Sequence, residues 1–192
     1  SRFNQLSRFW LAESYYRNDQ YEEAIGVFEN LYNTQALYRQ PESYVIPYCI
    51  GYSHYKKGAY NAAMKWFDIY LEDAHDHLYR KEAMERRADC YFIQKQYDKA
   101  AKAYDLVLKE YFDVNDIYPY YQSAISYGLA GNNAKKIKLL SKVMDADASS
   151  RFYPEAMFEL GRAYVMSDDD DNAFSCFKAI AEKVKDNTYV AR

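Results

Sequence analysis

The chain of 192 residues is poor in structure breakers, with six glycines and four prolines. That scarcity excludes a sheet protein with many tight loops and points to helices joined by short turns. Cysteine is scarce too, and an odd count of three argues against a disulfide framework. No run of about 18 apolar residues occurs, so nothing in the sequence reads as a membrane span. There is no signal-like start at Ser1-Arg2-Phe3. Basic clusters are short, the longest being Lys135, Lys136 and Lys138, and net charge is −3. A phosphate backbone needs more than that, so nucleic acid is not an expected partner. Catalytic signatures are missing as well: no glycine-rich phosphate loop, no GxSxG and no HExxH. No catalytic residue, cofactor or metal is expected.

What the chain has in abundance is tyrosine, 23 residues of it, and these fall in a recurring pattern. Leu11-Ala12-Glu13-Ser14-Tyr15 is followed by a turn at Asn18-Asp19-Gln20, then by Tyr21, Ala24 and Phe28. The pattern returns as Gly51-Tyr52-Ser53-His54, Gly58, Tyr60, Ala63 and Phe67. It returns again through Ala88, Cys90, Tyr91, Ala100 and Tyr104, and more weakly through Ala124, Ser126, Tyr127, Gly131 and Leu140. A last copy runs Gly161, Ala163, Tyr164, Ala173 and Phe177. The opening small residue falls at 12, 51, 88, 124 and 161, in steps of 39, 37, 36 and 37. A fixed period of this size marks a stacked repeat architecture.

The spacing has a direct physical reading. Small residues let two helices approach closely. Ala24 and Phe28 are four apart and share one face of the second helix, where alanine admits its partner's backbone and phenylalanine plugs the gap. The first-helix aromatic, Tyr15 or Tyr164, is expected to fill the space between the two helices of a pair. No pair can bury its apolar face alone, so copies must stack. The fourth copy departs from the pattern, with Lys136 at the alanine position. Pro119 and Pro154 fall near expected helix starts, while Pro47 lies deeper and marks either a late start or a kink.

Leu160-Gly161-Arg162-Ala163-Tyr164 and Gly58-Ala59-Tyr60-Asn61-Ala62-Ala63 resemble the tetratricopeptide repeat, a helix–turn–helix of about 34 residues. That resemblance implies an all-α solenoid of about five antiparallel helix pairs in a right-handed superhelix. As one array the pairs span 3–33, 43–73, 78–111, 116–145 and 152–184, with 187–192 opening a sixth. The chain departs from the family in its longer steps, in lacking the terminal proline, and in replacing the usual second-helix alanine. Leu31, Tyr70, Val107, Val143 and Ile180 stand there instead, which implies looser packing between pairs. The stretch 158–164 is most similar to repeats of bacterial cell-envelope proteins, of the Tol–Pal coordinator and barrel-assembly lipoprotein type. A periplasmic location follows from that likeness, and the free cysteines leave a cytoplasmic one open.

In this family the first helices line a concave face that holds protein partners. The matching positions are Phe9, Glu13 and Tyr16 in the first copy, then Tyr48, Tyr52 and Tyr55 in the second. Glu85, Asp89 and Phe92 follow from the third, with Glu82 and Arg86 beside them. Tyr118 and Tyr121 come from the fourth, and Phe158 and Arg162 from the fifth. Tyr48, Tyr52 and Tyr55 are spaced i, i+4, i+7 on one helical stripe, which serves either as groove or as core between repeats. Capture of a C-terminal carboxylate is excluded, because Glu85 and Asp89 would repel it.

Two apparent ligand sets have simpler readings. His75-Asp76-His77 lies after a second helix and reads as a solvated connector, since alternating helical residues point apart. Asp168 to Asp171 lacks the glycine and distal glutamate of a calcium loop and reads as the cap of the next helix. The expected function is a non-catalytic scaffold that binds a peptide or helix of an unidentified protein in an aromatic concave groove. A spacer or homo-oligomerisation element without a dedicated groove is the alternative.

Overall fold

The computed structural model describes residues 2–73 and 78–184. His75-Asp76-His77 and the proposed opening of a sixth pair at 187–192 lie outside them. Among the described residues all regular structure is helical: α1 (Arg2–Arg17), α2 (Tyr21–Asn33), α3 (Pro41–Lys56), α4 (Tyr60–Glu72), α5 (Arg80–Ile93), α6 (Tyr97–Glu110), α7 (Ile117–Leu129), α8 (Asn133–Ser141), α9 (Tyr153–Val165) and α10 (Asp170–Lys183). Contacts divide the chain into two compact units, 1–93 and 94–192, and each has its own apolar core.

The turns inside the pairs share one device. A residue with positive φ closes each first helix: Asp19, Gly58, Lys95, Gly131 and Asp168, with φ between 57° and 86°. The next N–H then reaches back five residues, as from Gln20 to the Tyr15 carbonyl at 2.9 Å and from Asn132 to Tyr127 at 2.8 Å. This hydrogen bond satisfies a carbonyl that the helix end would orphan. The second helix starts at once, and at Asp169 and Asn132 the side chain caps it by accepting from the N–H three residues on. The acidic run at 168–171 is thus a helix cap, as its composition implied.

Packing within a pair follows the small-against-aromatic rule. A Cβ placed on Gly51 would lie 2.9 Å from the Phe67 ring and 3.3 Å from its backbone nitrogen; on Gly161 it would lie 2.7 Å from Phe177. The alanines at 12, 24, 63, 88, 100 and 124 are wholly buried, as are Phe28, Phe67 and Tyr104. Burying each such ring contributes about 1.5–3 kcal/mol. The bulky residues standing where the family prefers alanine, from Leu31 to Ile180, are at most 2% exposed; they are full members of the core. Pro47 sits in the second turn of α3, which starts at Pro41 and runs through it, so the Ser43 carbonyl lacks its helical donor.

The first-helix aromatic also reaches beyond its own pair. Tyr164 meets Ser141 Oγ of α8 at 3.1 Å, and Tyr127 donates to Asp105 Oδ2 of α6 at 2.5 Å. His54 lies 3.9 Å from Glu29 of α2. Each therefore reaches the second helix of the preceding pair, and Tyr127 also meets its own partner helix, accepting from Lys135 Nζ of α8 at 2.8 Å. Arg87 completes the series with Asp68 of α4 at 2.7 Å. The four polar residues, Glu29, Asp68, Asp105 and Ser141, directly follow the large apolar residue of the second helix (Phe28, Phe67, Tyr104 and Leu140), so one register position ties each pair to the next. Ser14 of α1, with no described pair before it, is exposed, whereas Ser53, Cys90 and Ser126 are wholly buried.

Lys136 has its own accommodation. A Cβ on Gly128 would lie 2.8 Å from the Lys136 stem, and the ammonium reaches Glu159 of α9 at 2.6 Å. The glycine makes room for a long side chain where the other copies use alanine.

Two outcomes follow for stability. Gly51→Ala is expected to lower the urea-unfolding free energy by about 1–3 kcal/mol through overpacking. Gly161→Ala should cost less, because Phe177 is half-exposed and can yield. Gly26, with nothing within 4 Å, should gain about 0.5–1 kcal/mol on change to alanine. Separately, Asp105→Ala removes the acceptor of the wholly buried Ser123 hydroxyl (2.9 Å) as well as that of Tyr127. A loss of about 1–3 kcal/mol in the same measurement is expected.

Candidate functional site

In the first unit, α1, α3 and α5 are the first helices of successive pairs, and α3 contacts both of the others. Between them lies a groove of about 770 Å³. From α1 come Phe9, Trp10, Glu13, Tyr16 and Arg17; from α3, Glu42, Tyr48 and Tyr52; from the connection before α5, Tyr79, and from its first turn, Glu82. Five of the residues placed on a concave face by the repeat pattern therefore meet at one site: Phe9, Glu13, Tyr16, Tyr48 and Tyr52.

Their roles within it differ. Phe9 is buried against Phe28 with ring centres 5.8 Å apart and forms part of the floor. Tyr48 is 3% exposed. Its ring stacks on Tyr79 at 4.4 Å with 6° between planes, and its hydroxyl donates to Glu82 Oε2 at 2.9 Å. Tyr16 and Tyr52 are half-buried and meet edge to face at 5.7 Å. Such pairs contribute about 0.5–1.5 kcal/mol beyond their buried area. Glu13 pairs with Arg17 at 2.8 Å on the rim. The tyrosine stripe is thus divided: Tyr48 belongs to the packed wall, and Tyr52 to the open surface.

Tyr55, Glu85 and Asp89 form a separate cluster. The Tyr55 hydroxyl donates to Asp89 Oδ2 at 3.4 Å, and Arg86 lies over its ring at 5.8 Å. Arg86 also pairs with Asp89 at 2.7 Å and with Glu85 at 3.5 Å. Both carboxylates are buried to below a tenth of their surface and are engaged by that guanidinium, with Lys81 adding a contact to Glu85 at 3.7 Å. Phe92 is half-buried on the same helix.

The second unit holds the remaining positions. Tyr118 and Tyr121 of α7 flank Phe152, with ring centres at 5.0 and 6.3 Å. Phe158 meets Phe177 at 6.0 Å, and Arg162 is exposed beside Glu159 at 2.9 Å.

Trp10, Glu42 and Tyr79 line the groove but escape the repeat pattern. Trp10 sits out of phase with the core positions of α1, and Tyr79 lies in the connection before α5, where no periodicity applies. A further hollow of about 830 Å³ lies between the helix ends and the connecting residues 35–39, lined by Tyr32, Tyr38 and Tyr44, none of them at a position that the repeat pattern puts on the concave face.

The matched tetratricopeptide repeat models fall on these same pairs, at residues 6–34, 70–113 and 155–187. The chain belongs to the tetratricopeptide repeat family. Solved structures agree on the fold. MamA 41-end from Desulfovibrio magneticus RS-1 is 22% identical, with 93% of each chain covered and a TM-score of 0.73. An RS-1 MamA double mutant gives 21% identity, the same coverage and 0.75. A putative kinesin light chain of Podosopora anserina with nearly identical TPR-like repeats gives 18%, 94% and 95% coverage, and 0.66. Identities of this size speak to the fold alone. No curated protein matches the sequence. The tetratricopeptide fold is a protein-interaction scaffold, whose stacked helices offer extended concave surfaces.

Among the described residues, no group of three or more His, Cys, Asp or Glu side chains is placed to hold a metal ion. No described helix is long and apolar enough to cross a membrane. Burial raises the Cys90 thiol to about 12 and the Cys176 thiol to about 11, so neither is a ready nucleophile.

Burial is also the chief force raising the phenols of Tyr16 and Tyr48, reinforced by nearby groups including Glu82. A raised folded-state value means the fold favours the protonated phenol. Its stabilisation is complete below the ordinary tyrosine value of about 10 and is lost as pH climbs above it. In an alkaline titration followed at the tyrosinate absorbance and by circular dichroism, these two phenols should ionise only as the structure melts. Tyr16→Phe with Tyr48→Phe should move that melting to higher pH; an unmoved midpoint contradicts the assignment.

Proposed function

We propose that the chain captures a peptide or helix of a partner protein in the groove between α1, α3 and α5. The carrying observation is the groove's wall of tyrosine: Tyr48 and Tyr79 stacked and held by Glu82, Tyr16 and Tyr52 edge to face in the open. Such rings offer large contact area at low entropic cost, with hydroxyls at the rim for hydrogen bonds. A preformed wall spares the partner much of the ordering cost of association. The likeness of residues 158–164 to bacterial envelope repeats makes an envelope protein the partner class within this reading.

A second reading has one observation in its favour. Phe3 and Leu11 of α1 are 82% and 47% exposed, as a spacer or self-associating element would require. The two readings separate in one experiment. A random peptide library selected on the immobilised protein should return binders that lose about tenfold or more in affinity on Tyr52→Ala, with Tyr52→Phe largely restoring it. Light scattering should give both proteins the same mass. Binders indifferent to Tyr52→Ala remove the groove reading, and a mass that falls with Tyr52→Ala favours self-association.

A further inference from the structure

The groove's charge is lopsided. Among the described residues three carboxylates line it, Glu13, Glu42 and Glu82, against one guanidinium, Arg17, and no lysine or histidine. Arg17 is committed to Glu13 at 2.8 Å. Glu82 accepts a neutral hydrogen bond from Tyr48, and neither it nor Glu42 has a basic partner among the described residues. The two unbalanced carboxylates share the groove with Tyr16, Tyr52, Tyr79 and the indole of Trp10, which is 57% exposed. The negative faces of such rings attract a cation, and tryptophan does so best.

Resting on the groove reading, we infer that the segment bound there carries a lysine or arginine set among apolar residues. The apolar stem of such a side chain lies along the rings, and its charged head meets Glu42 and Glu82. An acidic segment would face those carboxylates, so the same groups that attract one class of peptide repel the other. The tyrosine hydroxyls do not dilute this preference, because as neutral phenols they leave the carboxylates to set the sign of the field.

The test uses the whole chain and the same random peptide library. Binders that depend on Tyr52 should be enriched in lysine or arginine, and should quench or shift the emission of Trp10, a signal absent in Trp10→Phe. Exchanging the basic residue of a binder for glutamine should weaken it about tenfold or more, and Glu42→Gln with Glu82→Gln should do the same. Glutamine at 82 still accepts from Tyr48, so the wall stays intact. Affinity should also fall as salt is raised. If Tyr52-dependent binders are neutral or acidic, or ignore the two glutamine changes, the cationic assignment falls and the groove reading stands. A library with no Tyr52-dependent binder overturns both.

Discussion

Everything in each helix pair depends on how closely its two helices approach. At Gly51 and Phe67 the approach leaves no room for a methyl group, because a Cβ would sit 2.9 Å from the ring. That contact fixes the depth of the second helix against the first, and so fixes which residues of the first helix remain on the opposite side. Tyr52 follows Gly51 directly, about 100° further around α3. A side chain so placed cannot share the seam with Phe67, and the groove inherits it.

The connections between pairs obey a second, polar rule. Glu29, Asp68, Asp105 and Ser141 each meet a side chain from the following first helix, at distances from 2.5 to 3.9 Å. Apolar contact alone is non-directional and tolerates sliding. A hydrogen bond at one register position does not, because its distance and angle must both be met. Direction along the stack is thus carried by polar atoms, and cohesion by the rings beside them.

Much of this could be read from the sequence, for identifiable reasons. The helices and their pairing were legible because small and aromatic residues recur at fixed separations, and Ala24 with Phe28 must share a face whatever the tertiary structure. The groove was legible in part: Tyr16 and Tyr52 follow from the repeat register. Tyr79 was not, since it belongs to a connection and its stacking on Tyr48 is set by how α5 docks. The polar ties were visible only as an acidic or hydroxyl residue after Phe28, Phe67, Tyr104 and Leu140. Their meaning needs the neighbouring pair, which a single copy does not contain. For the same reason the reach of Tyr164 to Ser141 is not legible in the spacing, which gives its face but not every helix that meets it.

The departure at Lys136 has an evolutionary consequence. Gly128 accommodates its stem and Glu159 receives its ammonium. Alanine at 136 alone would leave a hollow beside a glycine and remove one of the two cations on Glu159, Arg162 remaining as the other. A methyl at 128 alone would collide with the lysine. Each residue therefore makes sense only in the presence of the others. The substitutions at 128 and 136 are therefore expected to be coupled, each change costing less in the presence of the other.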